Sequence, residues 1–113
     1  MNIRINNNKF VVKTMITPKD KSTGMMGRKF TSPNQGMLFL MDEGEHCFWM
    51  KGCVTPLDII FIQDNRITEI HSNCEPCRSN DCGNYCGEGN LILELSGGVC
   101  KKLGIKKGDL ISF

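Results

Sequence analysis

The sequence predicts an α+β domain that is mostly β, a small β-barrel-like fold of about seven strands and two short helices. Three observations predict it. Short apolar runs such as Met37-Leu38-Phe39-Leu40-Met41 and Leu57 to Ile62 have strand length, too brief for a buried helix. Arg66-Ile67-Thr68-Glu69-Ile70 alternates apolar and polar residues with the period of two of a half-buried strand. Helix-start chemistry is confined to two places, at Thr17 and Ser96. With 113 residues, the chain is expected to form one domain over residues 1–113, with a cysteine-rich loop at about 71–89.

The elements follow in order. Ile3 and Ile5 alternate with polar residues, and Asn6-Asn7-Asn8 turns the chain into Phe10-Val11-Val12, a hairpin. In Thr17-Pro18-Lys19-Asp20, Thr suits an N-cap, Pro the first helical position and Asp the first turn. That helix should fail near Gly24 or Gly27. Beyond Pro33-Asn34-Gln35-Gly36, the Met37–Met41 run and the aromatic stretch His46-Cys47-Phe48-Trp49-Met50-Lys51 read as strands. Leu57 to Ile62 reads as a central strand buried on both faces. Asp64-Asn65 then joins it to Arg66–Ile70 through a primed turn. Leu91-Ile92-Leu93-Glu94-Leu95 restores regularity, Ser96 can cap a short helix through Leu103, and Leu110 to Phe113 forms a last strand.

Composition excludes several function classes. The net charge is +2, from 14 basic and 12 acidic residues, too small an excess for a nucleic-acid footprint. Lys101, Lys102, Lys106 and Lys107 read as solvated cations around a helix end. No stretch has the ~18 apolar residues of a membrane span, and the N-terminus lacks the apolar core of a signal peptide. A cytoplasmic location is therefore expected, with neither membrane nor nucleic-acid partner, and in such a reducing compartment clustered cysteines more often bind metal than pair.

Residues 71–89 are nearly free of aliphatic side chains yet hold four of the seven cysteines. So long a structureless loop in a compact domain needs something other than a hydrophobic core to hold it. Cys74, Cys77, Cys82 and Cys86 have the spacing C-x2-C-x4-C-x3-C, and four thiolates can enclose a tetrahedral zinc ion. Zinc is thus the expected cofactor. Two disulfides among the four, a reactive redox pair and an iron–sulfur cluster are the competing readings. His71 could replace one thiolate, and Cys47 and Cys100 read as small buried hydrophobes.

A second candidate site is a ligand pocket formed by Arg28, Trp49, Lys51, Asp58 and Glu94. Asp58 interrupts the most apolar strand, and a buried carboxylate needs a partner, which Lys51 or Arg28 could supply. The bland reading is a structural ion pair; the functional one is a polar patch in a barrel-mouth pocket. Met15, Met25, Met26, Met37, Met41 and Met50 read as pliable core filler.

Several ordered motifs carry a resemblance: Gly24-Met25-Met26-Gly27-Arg28, Phe48-Trp49-Met50-Lys51, Pro56-Leu57-Asp58-Ile59-Ile60-Phe61-Ile62, Pro76-Cys77, Leu93-Glu94-Leu95 and Leu103-Gly104-Ile105. The set resembles the bacterial and archaeal family called domain of unknown function 192, over nearly all the chain after residue 10. The resemblance implies a compact β-barrel-like fold and no established activity. It also implies that Cys77 and Cys82 match a family pair suited to a disulfide in exported members. Cys74 and Cys86 are additions to that pattern, and Cys53 stands where the family usually has Thr.

Two functions are therefore expected from sequence. The first is a non-enzymatic binding or interaction module with a structural four-cysteine zinc loop, whose partner is an unknown protein or small molecule. The alternative is a small enzyme or ligand-binding protein with a pocket around Asp58, or a thiol protein with disulfides in the loop.

Overall fold

Local sequence chemistry places most of the elements. In the computed structural model, which describes residues 1–113, nine strands and two short helices form. Strands β1 (Asn2–Ile5) and β2 (Asn8–Met15) are a hairpin whose turn residue Asn6 takes a left-handed φ of 56°. Helix α1 (Pro18–Thr23) is capped by Thr17, whose Oγ1 accepts from the Asp20 N–H at 3.1 Å. Strands β3 (Gln35–Leu40), β4 (Glu45–Trp49), β5 (Leu57–Gln63) and β6 (Arg66–Cys74) follow. The β5–β6 turn holds Asp64 and Asn65 at φ 52° and 61°, the double left-handed conformation of a primed turn. Then come β7 (Asn84–Glu88), β8 (Leu91–Ser96), helix α2 (Val99–Leu103) and β9 (Ile111–Ser112).

Two details differ from the sequence reading. The span expected to be one long loop is ordered at both ends: β6 continues to Cys74, and β7 forms from residues of low strand propensity because β4 lies alongside. At α2 the capping residue is Gly98, at φ 91°, and Ser96 stays in β8.

Seven strands make one sheet in the order β6-β5-β8-β3-β2-β1-β9, antiparallel except for β2–β3. The sheet curls into a half-barrel. Its two ends approach at a seam: Arg66 bridges Leu110, the Ile67 N–H donates to the Asp109 carbonyl at 2.9 Å, and the Ile111 N–H donates to that of Asn65 at 2.8 Å.

Alternation along the central strands builds a core on each face. Leu38, Ile60, Ile62, Leu93 and Leu95 join Ile3, Phe10 and Val99 on the face around which the sheet curls. Met37, Phe39, Ile59, Phe61 and Ile92 point the other way, towards Met25, Met50 and Cys53. This outer core is covered by a separate two-stranded ribbon, β4 with β7. The ribbon lies close because Gly87 carries no side chain, and a Cβ there would stand 2.5 Å from the Phe61 ring.

Candidate ligand-binding cleft

The four loop cysteines do not form a metal site, which corrects the zinc expectation. Pairing of β7 with β4 sets Cys86 directly opposite Cys47, with Cα atoms 4.1 Å apart, and the two form a disulfide. Cys77 and Cys82 form a second one, leaving Cys74 as a free, buried thiol. No group of three or more His, Cys, Asp or Glu side chains is placed to hold a metal ion. Cys47 is accordingly not the small buried hydrophobe expected but half of an exposed crosslink. His71 is not a ligand either; its Nε2 meets the Cys86 carbonyl at 2.8 Å, and its ring packs edge-on between Phe61 and Tyr85.

The three free thiols, Cys53, Cys74 and Cys100, are buried. Burial, reinforced by the nearby Glu94 carboxyl, pushes the Cys53 thiol up to about 11. Burial followed by Asp58 and Glu94 does the same for Cys74, also to about 11, and Cys100 is raised by burial and Asp58. All three stay protonated at neutral pH, which denies them thiolate chemistry.

The Cys47–Cys86 bond closes a separation of 39 residues, a loop whose chain entropy makes such a crosslink worth about 4 kcal/mol. A Cys47→Ala/Cys86→Ala variant should therefore melt at least about 8 °C below wild type. Reductant should lower the wild-type melting temperature comparably, while a chelator leaves it unchanged. A chelator effect with no reductant effect would restore the metal reading.

Asp58 and Glu94, grouped in one pocket by sequence, lie on opposite faces of the sheet. Asp58 is opposite Leu95 and Ile59 opposite Glu94, so alternation turns the two carboxyls apart. Asp58 is fully buried on the inner face. Neither Lys51 nor Arg28 partners it. Instead Oδ1 accepts from the backbone N–H groups of Asn73 (2.8 Å) and Gly98 (2.9 Å), and Oδ2 accepts from that of Cys100 (2.8 Å). It thereby caps α2 from another strand, satisfying amides that Gly98 has no side chain to reach.

Glu94 faces outwards into a cleft of about 550 Å³ between the sheet, the ribbon and α1. The cleft brings together Trp49, Lys51 and Glu94 of the expected pocket residues. Arg28 lines a neighbouring cavity of about 290 Å³ instead. Glu94 is only 4% exposed, and its cross-strand neighbours Met37 and Ile59 are apolar. Its Oε1 is buried with no hydrogen-bond partner. Desolvation raises its carboxyl to about 8, so at neutral pH it is mostly protonated and can both donate and accept. At the mouth, Lys51 Nζ sits 5.4 Å from the centroid of the half-exposed Trp49 ring.

The rest of the wall was not assigned to a site from sequence. Of the methionines that the sequence marks as core filler, Met25 is buried while Met26 and Met41 are half-buried along the cleft. Phe39 and Phe48 meet edge to face at 5.0 Å and form its aromatic side. The available signal was Phe48-Trp49, two aromatic neighbours that on a strand must face opposite ways.

Among known structures, the chain is similar to a protein of unknown function from Novosphingobium aromaticivorans DSM 12444, at 30% identity and a TM-score of 0.90, over 99% of this chain and 84% of that one. It is also similar to a protein from Sinorhizobium meliloti 1021 described as a "putative transcription regulator", at 30% identity and a TM-score of 0.88, over 98% of this chain and 91% of that one. No curated protein matches it. The profile of DUF192, described as an uncharacterized ACR, matches residues 1–113. The motifs around Met25, Trp49, Asp58 and Glu94 thus lie in a fold and a full-length profile that agree, and the chain belongs to the domain of unknown function 192 family.

Proposed function

We propose that this domain binds a small molecule in the cleft beneath the β4–β7 ribbon, through an apolar body and one polar group that pairs with Glu94. The observation that carries this reading is the unpartnered Oε1. A buried polar atom without a hydrogen bond costs about 1–3 kcal/mol, and native structures contain few of them. A ligand supplying the missing partner removes that cost, and the cleft volume falls in the usual range for small-molecule sites. The pocket around Asp58 is thereby relocated to the other face of the same sheet, around Glu94.

The disulfides serve this site as scaffold, since the Cys47–Cys86 bond fixes the strand that carries Phe48 and Trp49. Disulfides persist in oxidising compartments, so the reading favours an oxidising environment over the cytoplasmic one expected from sequence. It includes no nucleic acid: the Sinorhizobium meliloti neighbour's description is not matched here by a strong basic surface, the net charge being +2.

A fragment screen followed by NMR tests the proposal. Hits should shift the methyl signals of Met25 and Met26 and the indole signal of Trp49, the chain's only tryptophan, and leave the amides of α2 unchanged. Hits that map only to other surfaces, or a screen with none, would remove it.

A further inference from the structure

The cleft's charge and shape select among apolar ligands. Its only ionisable wall residues besides the buried Cys53 thiol are Lys21, Lys51 and Glu94. Both lysines are half-buried at the rim, and Glu94 is at the floor. A protonated Glu94 contributes no charge, so an incoming molecule meets two cations at the mouth and a neutral hydrogen-bonding carboxyl below. Between them lie Phe39, Phe48 and Met25, whose flat aromatic and thioether surfaces suit a ring better than a flexible chain.

We propose that the ligand is a small aromatic carboxylate with a hydroxyl or carbonyl group at the end opposite its carboxylate. The ring lies against Phe39 and Phe48, the carboxylate meets Lys51 and Lys21, and the distal oxygen pairs with Glu94. Cationic ligands are disfavoured twice, by repulsion at the rim and by the lack of an ionised acid at the floor. This assignment rests on the cleft being a small-molecule site and sharpens it to a chemical class.

Four probes of one shape separate the two ideas in calorimetric titrations near neutral pH: 4-hydroxyphenylacetate, phenylacetate, tyrosol and tyramine. The expected order puts 4-hydroxyphenylacetate first, about fivefold tighter than phenylacetate, which lacks the hydroxyl, and at least about threefold tighter than the neutral tyrosol. Tyramine should bind weakest. Lys51→Met should shrink the preference over tyrosol, and Glu94→Leu should erase the preference over phenylacetate. Tyrosol or tyramine binding as tightly as 4-hydroxyphenylacetate would overturn the assigned class and leave the cleft as a site. Failure of all four to bind would overturn the assigned class, and the cleft would stand or fall with the fragment screen.

Discussion

Replacing Asp58 with alanine should destabilise the fold by about 5 kcal/mol, the largest effect expected of any single substitution described here. The carboxylate is fully buried and accepts from three backbone amides that belong to β6, the α2 cap and the first turn of α2. Alanine leaves those donors without acceptors in an apolar interior, and each orphaned group costs on the order of 1–3 kcal/mol. Domains of this size have only about 5–15 kcal/mol in total, so the variant should be largely unfolded or nearly so. Asp58→Asn keeps one acceptor oxygen but turns an NH₂ towards a donor, and should lose about 3 kcal/mol. Denaturant titration of both variants checks the series. A loss below about 1 kcal/mol for Asp58→Ala would show that solvent or rearrangement satisfies these amides.

The sequence makes Asp58 conspicuous, because a charge inside Leu57–Ile62 has to be explained. Its partners were illegible for a definite reason. Sequence reasoning looks for opposite charge, whereas the donors are main-chain groups, and the Cys100 amide lies 42 positions away. The same limit hid β7. Asn84-Tyr85-Cys86-Gly87-Glu88 has little strand propensity, and its pairing follows from β4 and a crosslink to a cysteine 39 residues distant. Where patterns are local the reading held: the Thr17 cap, the Asp64-Asn65 turn and the strand buried on both faces all follow from neighbouring residues. The cleft was half legible. Trp49, Lys51 and Glu94 stood out as polar or aromatic residues in strand-like stretches, but which face each occupies depends on register, and Asp58 lies on the opposite one.

Stability should fall as pH rises from about 5 to about 9, and Glu94→Gln should abolish most of that slope. Glu94 ionises near 4.5 when unfolded and near 8 when folded. Between those values the unfolded chain binds fewer protons than the native one, so each unit of pH weakens the fold by up to about 1.4 kcal/mol. Below the lower value both states are protonated and the residue contributes no pH dependence; above the upper value the loss is complete, on the order of 5 kcal/mol. The Cys53, Cys74 and Cys100 thiols, all raised above their ordinary value of 9.0 by burial, add a loss of the same sign only at the alkaline end of this window. Glutamine cannot ionise, so denaturation midpoints of Glu94→Gln should vary far less with pH, and the variant should overtake wild type at the alkaline end. Parallel pH profiles of the two proteins would show that Glu94 is already ionised in the native state. Ligands that pair with the neutral carboxyl should lose affinity over the same upper range.

The seam between β6 and the segment before β9 bears on how the chain can fold as it is synthesised. Beyond their hairpin partners on β5, Arg66 and Ile67 meet Leu110 and Asp109 across the seam, and β1 waits for the same segment, Arg4 pairing with Ser112. β3 likewise has no antiparallel neighbour until β8 arrives. Hairpins β1–β2 and β5–β6 can form early, but joining them requires contacts that span most of the sequence, which makes folding slow by the relation between rate and contact separation. The inner apolar faces of those hairpins therefore stay incompletely covered until β8 has been made and joins them through β3, and that interval is when the protein is most exposed to misassembly.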